Sequence, residues 1–91
     1  MGNRFDLEAA QRLSETLLKT ADIMQTETIR VQDNFKSLGE TFRDKAYEEF
    51  QNELNSADKS ISNIINDIRE LNQSILDYKN QMSELLWVKM F

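Results

Sequence analysis

Residues 50–85 decide the fold, and they read FQNELNSADKSISNIINDIRELNQSILDYKNQMSEL. Apolar side chains recur along this stretch in alternating steps of four and three residues. This spacing is typical of a helix that packs lengthwise on another helix. The spacing never slips along the series Phe50, Leu54, Ala57, Ile61, Ile64, Ile68, Leu71, Ile75, Tyr78, Met82 and Leu85. These residues predict one long helix with a continuous apolar side.

A second apolar series precedes this stretch. Its members are Ala10, Leu17, Ala21, Met24, Thr28, Val31, Phe35, Leu38 and Phe42, and from Leu17 onward they follow the same steps. Thr28 is the one polar member, and it either sets the register between the helices or is simply tolerated. The series predicts a first helix whose apolar side faces the second helix.

The only break between the two series lies near Gly39. Glycine commonly ends helices, and Thr41 would supply a capping hydroxyl for the next one, with Ser37 to Glu40 as a rival cap. The chain has no proline, which favours long helices. A short connection makes two helices antiparallel neighbours. We therefore expect an all-α, antiparallel two-helix hairpin. The expected boundaries are a helix over about 6–38, a turn over about 38–43, a helix over about 43–86 and a tail over about 86–91, in a single domain, 1–91.

The expected hairpin has a thin core and therefore predicts a partner. Two helices alone give each apolar series one neighbour, so we expect assembly into a four-helix or larger bundle. A turn near residue 40 would place Leu7 across from about residue 73, leaving the chain from Tyr78 onward as an overhang that either folds back or contacts a partner. Phe42 and Phe50, near the turn, either staple the helices or dock a partner, and Ile65 and Leu76 broaden the apolar side. The predicted partner-binding residues are Phe42, Phe50, Ile65, Leu76, Tyr78, Met82, Leu85, Leu86 and Trp87.

Composition argues against several classes of function. The chain carries 16 acidic and 11 basic residues, a net charge of −5, which disfavours nucleic acid and anionic membranes as partners. It has no histidine or cysteine, so a nucleophile–base pair, an ordinary zinc site and a disulfide are not expected. The pairs Glu49 with Glu53 and Asp67 with Glu70 share helix faces that we expect to be solvated, as are Asn63, Asn66, Asn72 and Asn80. We therefore expect no enzyme, no cofactor, no metal and no membrane insertion.

The stretch Phe42-Arg43-Asp44-Lys45-Ala46-Tyr47-Glu48-Glu49-Phe50 resembles the motif W-x-G-x-A-x-x-x-F of the small WXG-motif (ESAT-type) proteins of type VII secretion. Phe42 takes the position of the tryptophan and Asp44 that of the glycine, while Ala46 and Phe50 match the motif. Leu38 and the opening residues 5–10 also fit, and the resemblance covers roughly residues 5–80. It implies a helical hairpin that pairs with another hairpin.

The resemblance also implies a function. Proteins of this kind act as non-enzymatic, chaperone-like partners of a WXG-like protein or of the helical N-terminal domain of an LXG-type toxin. They typically carry an aromatic-x-x-x-acidic export signal, but no aromatic residue here has an acidic residue four positions later. The resemblance therefore favours a helper subunit in a dimer or heterocomplex. Such a subunit would be cytoplasmic before any export through type VII machinery, which needs no cleavable signal peptide. The alternatives are a homo-oligomeric or filament-forming structural subunit, like the needle proteins of type III secretion, and a generic coiled-coil adaptor.

Overall fold

The chain folds as two long helices that lie side by side. The computed structural model describes residues 6–89, with side chains described through residue 85. Helix α1 spans Leu7–Thr41 and helix α2 spans Lys45–Lys89, with 35 and 45 residues respectively. Gln11, near the start of α1, contacts Lys79, in the second half of α2, so the two helices are antiparallel. The predicted all-α helical hairpin is confirmed, and it measures 70 × 20 × 16 Å.

Aspartates cap the start of both helices. The Asp6 carboxylate accepts a hydrogen bond from the Ala9 amide at 3.0 Å, and the Asp44 carboxylate accepts one from the Tyr47 amide at 2.9 Å. These bonds satisfy amide groups that have no partner inside the first helical turn. The sequence-based expectation that Thr41 caps α2 is wrong, because Thr41 is the last residue of α1 and only residues 42–44 form the turn.

Gly39 does not end α1. The helix continues to Thr41, and Phe42 closes it in an extended conformation with its amide bonded to the Leu38 carbonyl at 2.8 Å. Gly39 has no positive φ, so the left-handed helix end expected from the sequence is absent. Because the turn centres on Arg43 rather than on residue 40, the register between the helices also shifts.

The register shift shortens the predicted overhang. The Lys79 ammonium donates to the Gln11 side-chain oxygen at 2.5 Å, whereas a turn at residue 40 would have placed Gln11 near residue 69. Met82 is half-buried near the start of α1. The overhang therefore does not begin at Tyr78, because α1 reaches as far as Lys79. Helix α2 also continues through Lys89, so the tail expected from residue 86 is helical to that point.

Helix α1 covers one side of the broad apolar surface of α2. The predicted positions Leu54, Ile61, Ile68, Ile75 and Met82 are half-buried, as expected. The intervening positions differ from the prediction by one residue: α1 covers Asp58, Ile65, Asn72 and Lys79 in place of Ala57, Ile64, Leu71 and Tyr78. A one-residue shift turns a helix by about 100°. Half of the predicted second series therefore points away from α1.

The core between the helices is thin. The buried residues among those described are Ala10, Ser14 and Ala21 of α1 and Tyr47, Ile65 and Asn72 of α2. The accessible surface is 7470 Å², against roughly 5,500 Å² expected for a compact monomer of this mass. The radius of gyration is 20.5 Å, against about 12 Å for a compact domain of this length. The isolated hairpin thus exposes far more surface than a globular domain of its size.

Candidate functional site: an exposed apolar face

Helix α2 exposes an apolar side chain at every seventh residue. We term this row the heptad stripe, and it consists of Phe50, Ala57, Ile64, Leu71, Tyr78 and Leu85. The exposed fractions of the five large members lie between 47% for Ile64 and 55% for Leu85. Such even exposure means that the row stays on one side of the hairpin as the helices coil around each other. At 1.5 Å per residue the stripe is roughly 50 Å long.

Helix α1 continues this surface across the groove between the helices. Val31 and Leu38 are 49% and 47% exposed, and Met24 is half-buried beside them. Met24 and Val31 line an open groove together with Leu54, Ala57 and Ile61 of α2. We term the heptad stripe together with Met24, Val31 and Leu38 the apolar face. Spaced seven residues apart on α1, these three residues run alongside the stripe.

The apolar face is large enough for a stable interface. Seven of its side chains are large and about half exposed. At roughly 80–100 Å² for half of a large side chain, they present on the order of 600–700 Å². A standard protein interface buries about 800 Å² on each partner. The half-buried residues of the groove supply the remainder, so a partner that covered the whole face would form an interface of ordinary size.

The opposite side of the hairpin is mostly polar, although Ile29 is 50% exposed among its polar groups. Arg69 of α2 donates to the side chain of Gln25 at 2.8 Å, and Gln32 donates to the Asp58 carboxylate at 2.8 Å. These hydrogen bonds and the Gln11–Lys79 bond cross from one helix to the other. Polar side chains that already form hydrogen bonds with one another gain little from contact with an apolar partner. The described part of the hairpin therefore has two unlike faces, and the continuous apolar row lies on only one of them.

The structure places the predicted partner-binding residues in three groups. Phe42, Phe50, Tyr78 and Leu85 are exposed, and the last three belong to the heptad stripe. Leu76 and Met82 are half-buried, and Ile65 is only 7% exposed because it packs against α1. Ile65 is thus a core residue of the hairpin, which corrects its assignment to a partner surface. The predicted contacts of Leu86 and Trp87 lie outside the described side chains.

The residue that staples the helices near the turn is Tyr47, which the sequence reasoning missed. Its ring stacks on Phe35 with centroids 4.4 Å apart, and its hydroxyl donates to the Phe35 carbonyl at 3.3 Å. The Arg43 guanidinium lies over the ring, 5.7 Å from its centroid. Phe42 and Phe50 are 64% and 54% exposed, so neither staples the helices. The sequence did indicate this role, because Tyr47 lies seven residues before Leu54 and therefore on the same side of α2.

Gly39 has a packing role in place of the expected turn role. A Cβ atom at residue 39 would lie 2.9 Å from Cε2 of Tyr47 and still closer to its Cζ and hydroxyl oxygen. Only glycine therefore allows the Tyr47 ring to lie flat against α1. Gly39, which was expected to begin the turn, instead leaves space for the Tyr47 ring.

A buried polar pair joins the middle of α2 to the start of α1. The Ser14 hydroxyl donates to the Asn72 side-chain oxygen at 2.6 Å, and both residues are buried. The expectation that Asn72 is solvated is wrong, because Asn72 occupies a position that faces α1. Thr28, by contrast, bonds the Met24 carbonyl of its own helix at 2.7 Å and needs no partner on α2. Register is therefore specified by Ser14 and Asn72 and not by Thr28.

The described residues offer neither a metal site nor a membrane-spanning helix. They contain no cluster of three or more acidic side chains placed to hold a metal ion. Within residues 6–89, neither helix is both long and apolar enough to cross a membrane. The apolar face is therefore the candidate functional site.

No protein-family model, curated protein or solved structure matches this chain.

Proposed function

We propose that this chain is an interaction protein whose apolar face binds the helices of another protein. The observation that carries the proposal is the heptad stripe, a straight apolar row about 50 Å long that α1 leaves exposed. Monomeric proteins seldom expose contiguous apolar surface of this size unless it binds something. The chain buries the polar pair Ser14 and Asn72 between the helices while a row of large apolar side chains stays exposed.

The spacing of the stripe indicates the shape of its partner. Side chains that repeat every seven residues match the contact positions of a second helix lying lengthwise on the first. Between Met24 and Val31 of α1 and Ile61 of α2 lies an open groove whose exposed surface is almost entirely apolar, which suits the apolar side of an amphipathic helix. A helical hairpin would cover both the stripe and the groove, and it would complete a four-helix bundle.

The resemblance to WXG-motif proteins adds the cellular setting to this proposal. In that setting the partner is a WXG-like protein or the helical N-terminal domain of an LXG-type toxin, and the chain is a non-enzymatic helper of type VII secretion. What supports this part is the motif-like stretch at residues 42–50 and the hairpin architecture. Phe50 of that stretch is the first residue of the heptad stripe and Phe42 is exposed in the turn, so a partner could reach both.

Coexpression with the product of the neighbouring gene tests the proposal. We expect a defined complex by light scattering, and the Leu71→Asp variant should abolish it while circular dichroism shows unchanged helix content. The matched control is Asn66→Asp, which places the same charge on the polar side of α2. The proposal fails if Leu71→Asp binds as well as the control. It also fails if the wild-type chain stays a folded monomer at micromolar concentration beside that partner.

A further inference from the structure

The outer border of the heptad stripe carries charge of one sign only. On the side turned away from α1, each stripe residue is bordered by the residue before it and by the residue three positions after it. Six of these bordering residues are acidic and none is Lys or Arg, and we term the six the acidic border: Glu49, Glu53, Asp67, Glu70, Asp77 and Glu84. The 11 basic residues of the chain all lie elsewhere.

Among the described residues, no side chain of the acidic border forms an ion pair. All six of its side chains are exposed. The one ion pair among the described residues joins Glu27 and Arg30 of α1 at 3.6 Å. The basic residues of α2 nearest in sequence to Asp67, Glu70 and Asp77 are Arg69 and Lys79, and both reach across to α1 on the polar side of the hairpin. A partner on the apolar face would therefore meet uncompensated negative charge along one border.

We propose that the partner is a different protein, whose helix carries Lys or Arg beside its own apolar row, and not a second copy of this chain. Charges that border an apolar contact between helices select the partner, because opposite charges attract and like charges repel. This inference rests on the proposed function, since it concerns what covers the same apolar face.

Self-pairing cannot neutralise the acidic border. If α2 lay against α2 of a second copy, acidic residues would face acidic residues. If α2 lay against α1 of the second copy, it would meet the residues that border Met24 and Val31 on α1. Those residues are Thr20, Ile23, Glu27, Arg30 and Asn34, which contain a single cation, and that cation already pairs with Glu27. A helix with a basic border is the occupant that fits both the apolar row and the charge.

The test pairs the chain with a charge-reversed copy of itself, so that no natural partner has to be identified. The border variant changes Glu53, Asp67, Glu70 and Asp77 to Lys. The control variant changes four exposed acidic residues on the outer side of α1 to Lys: Glu15, Asp22, Asp33 and Glu40. Each reversal adds two charge units, so four reversals turn the net charge of −5 into +3 in both variants. The two variants thus differ only in where the positive charge lies.

We expect the wild-type chain to bind the border variant at least tenfold more tightly than it binds either the control variant or itself, as measured by fluorescence titration at low salt. This preference should disappear in 1 M salt, where charges are screened within about 3 Å. Equal binding of both variants, or an equally tight wild-type homodimer, would overturn the charge inference and leave the proposed function standing. Absence of pairing in every mixture at 100 µM would also overturn the charge inference, whereas the proposed function fails only if the coexpression test described above gives no complex.

Discussion

The Gly39→Ala variant isolates the contact that joins the helices near the turn. By helix propensity alone this change should stabilise the protein, because Gly39 lies inside α1 and alanine is the better helix former by about 1 kcal/mol. The added Cβ, however, would overlap the Tyr47 ring. Two effects of opposite sign therefore compete at one position, and their sizes decide the outcome.

The packing effect is the larger one. Tyr47 is only 5% exposed, and removal of a buried aromatic side chain costs about 3–5 kcal/mol. Displacement of the ring would also lose the hydrogen bond to the Phe35 carbonyl, worth about 1 kcal/mol, and the stacking on Phe35, worth about 0.5–1.5 kcal/mol. Because the ring can keep part of its burial after it moves, we expect Gly39→Ala to cost about 3 kcal/mol in packing. The net loss of unfolding free energy is then about 2 kcal/mol.

Urea denaturation followed by circular dichroism measures this loss, at one fixed protein concentration because self-association would raise the apparent stability. The control is the same change in a Tyr47→Ala background, where no ring opposes the new Cβ. There Gly39→Ala should stabilise the hairpin by about 1 kcal/mol. The sign of the glycine effect should therefore reverse, with a coupling between residues 39 and 47 of about 3 kcal/mol.

A stabilising effect of Gly39→Ala in the wild-type background would refute this reasoning. It would mean that the Tyr47 ring does not lie against α1 in solution. An equal destabilisation in both backgrounds would also refute it, because the cost would then arise from something other than the ring.

Two further predictions follow from burial. Phe42→Ser should change the unfolding free energy by less than about 0.5 kcal/mol, because Phe42 is largely exposed. Tyr47→Ala should lower the unfolding free energy by about 3–5 kcal/mol. Equal losses for the two variants in urea denaturation would mean that Phe42 joins the helices as firmly as Tyr47 does. Asn72→Leu should cost about 1–3 kcal/mol, because it removes the buried acceptor of the Ser14 hydroxyl. The double variant Ser14→Ala with Asn72→Leu should recover most of that cost, and a double variant as unstable as the single one would contradict a specific pair.

The sequence was sufficient to predict the hairpin, because apolar spacing indicates two long helices and a short connection makes them antiparallel. It was not sufficient to predict which side of α2 faces α1. Ile64 and Ile65 are adjacent and equally apolar, so spacing alone does not say which is buried. That choice depends on which polar residues find partners across the interface, as Asn72 does with Ser14.

The turn was misplaced for a similar reason. Gly39 and Thr41 are ordinary signals of a helix end, and they suggested a boundary three residues too early. The structure uses Gly39 for close packing and Asp44 for the cap, because Tyr47 requires space beside α1. A three-residue shift in the turn moves every contact across the hairpin, which is why the overhang was predicted too long. The candidate site was therefore foreseen as apolar surface on α2, but its position was not.

The difference between the two faces of the hairpin results from which side of α2 packs against α1. Helix α2 has apolar residues around too wide an arc for a single neighbour to cover, so any position of α1 leaves one row exposed. The row that α1 covers contains Asp58, Asn72 and Lys79, each of which is hydrogen-bonded to a polar side chain of α1. The exposed row contains aliphatic and aromatic residues. A partner for such a row needs a complementary shape and a matching length, but few polar groups positioned to pair with it. The polar residues thus fix the hairpin in one register, and by doing so they leave the heptad stripe for another protein.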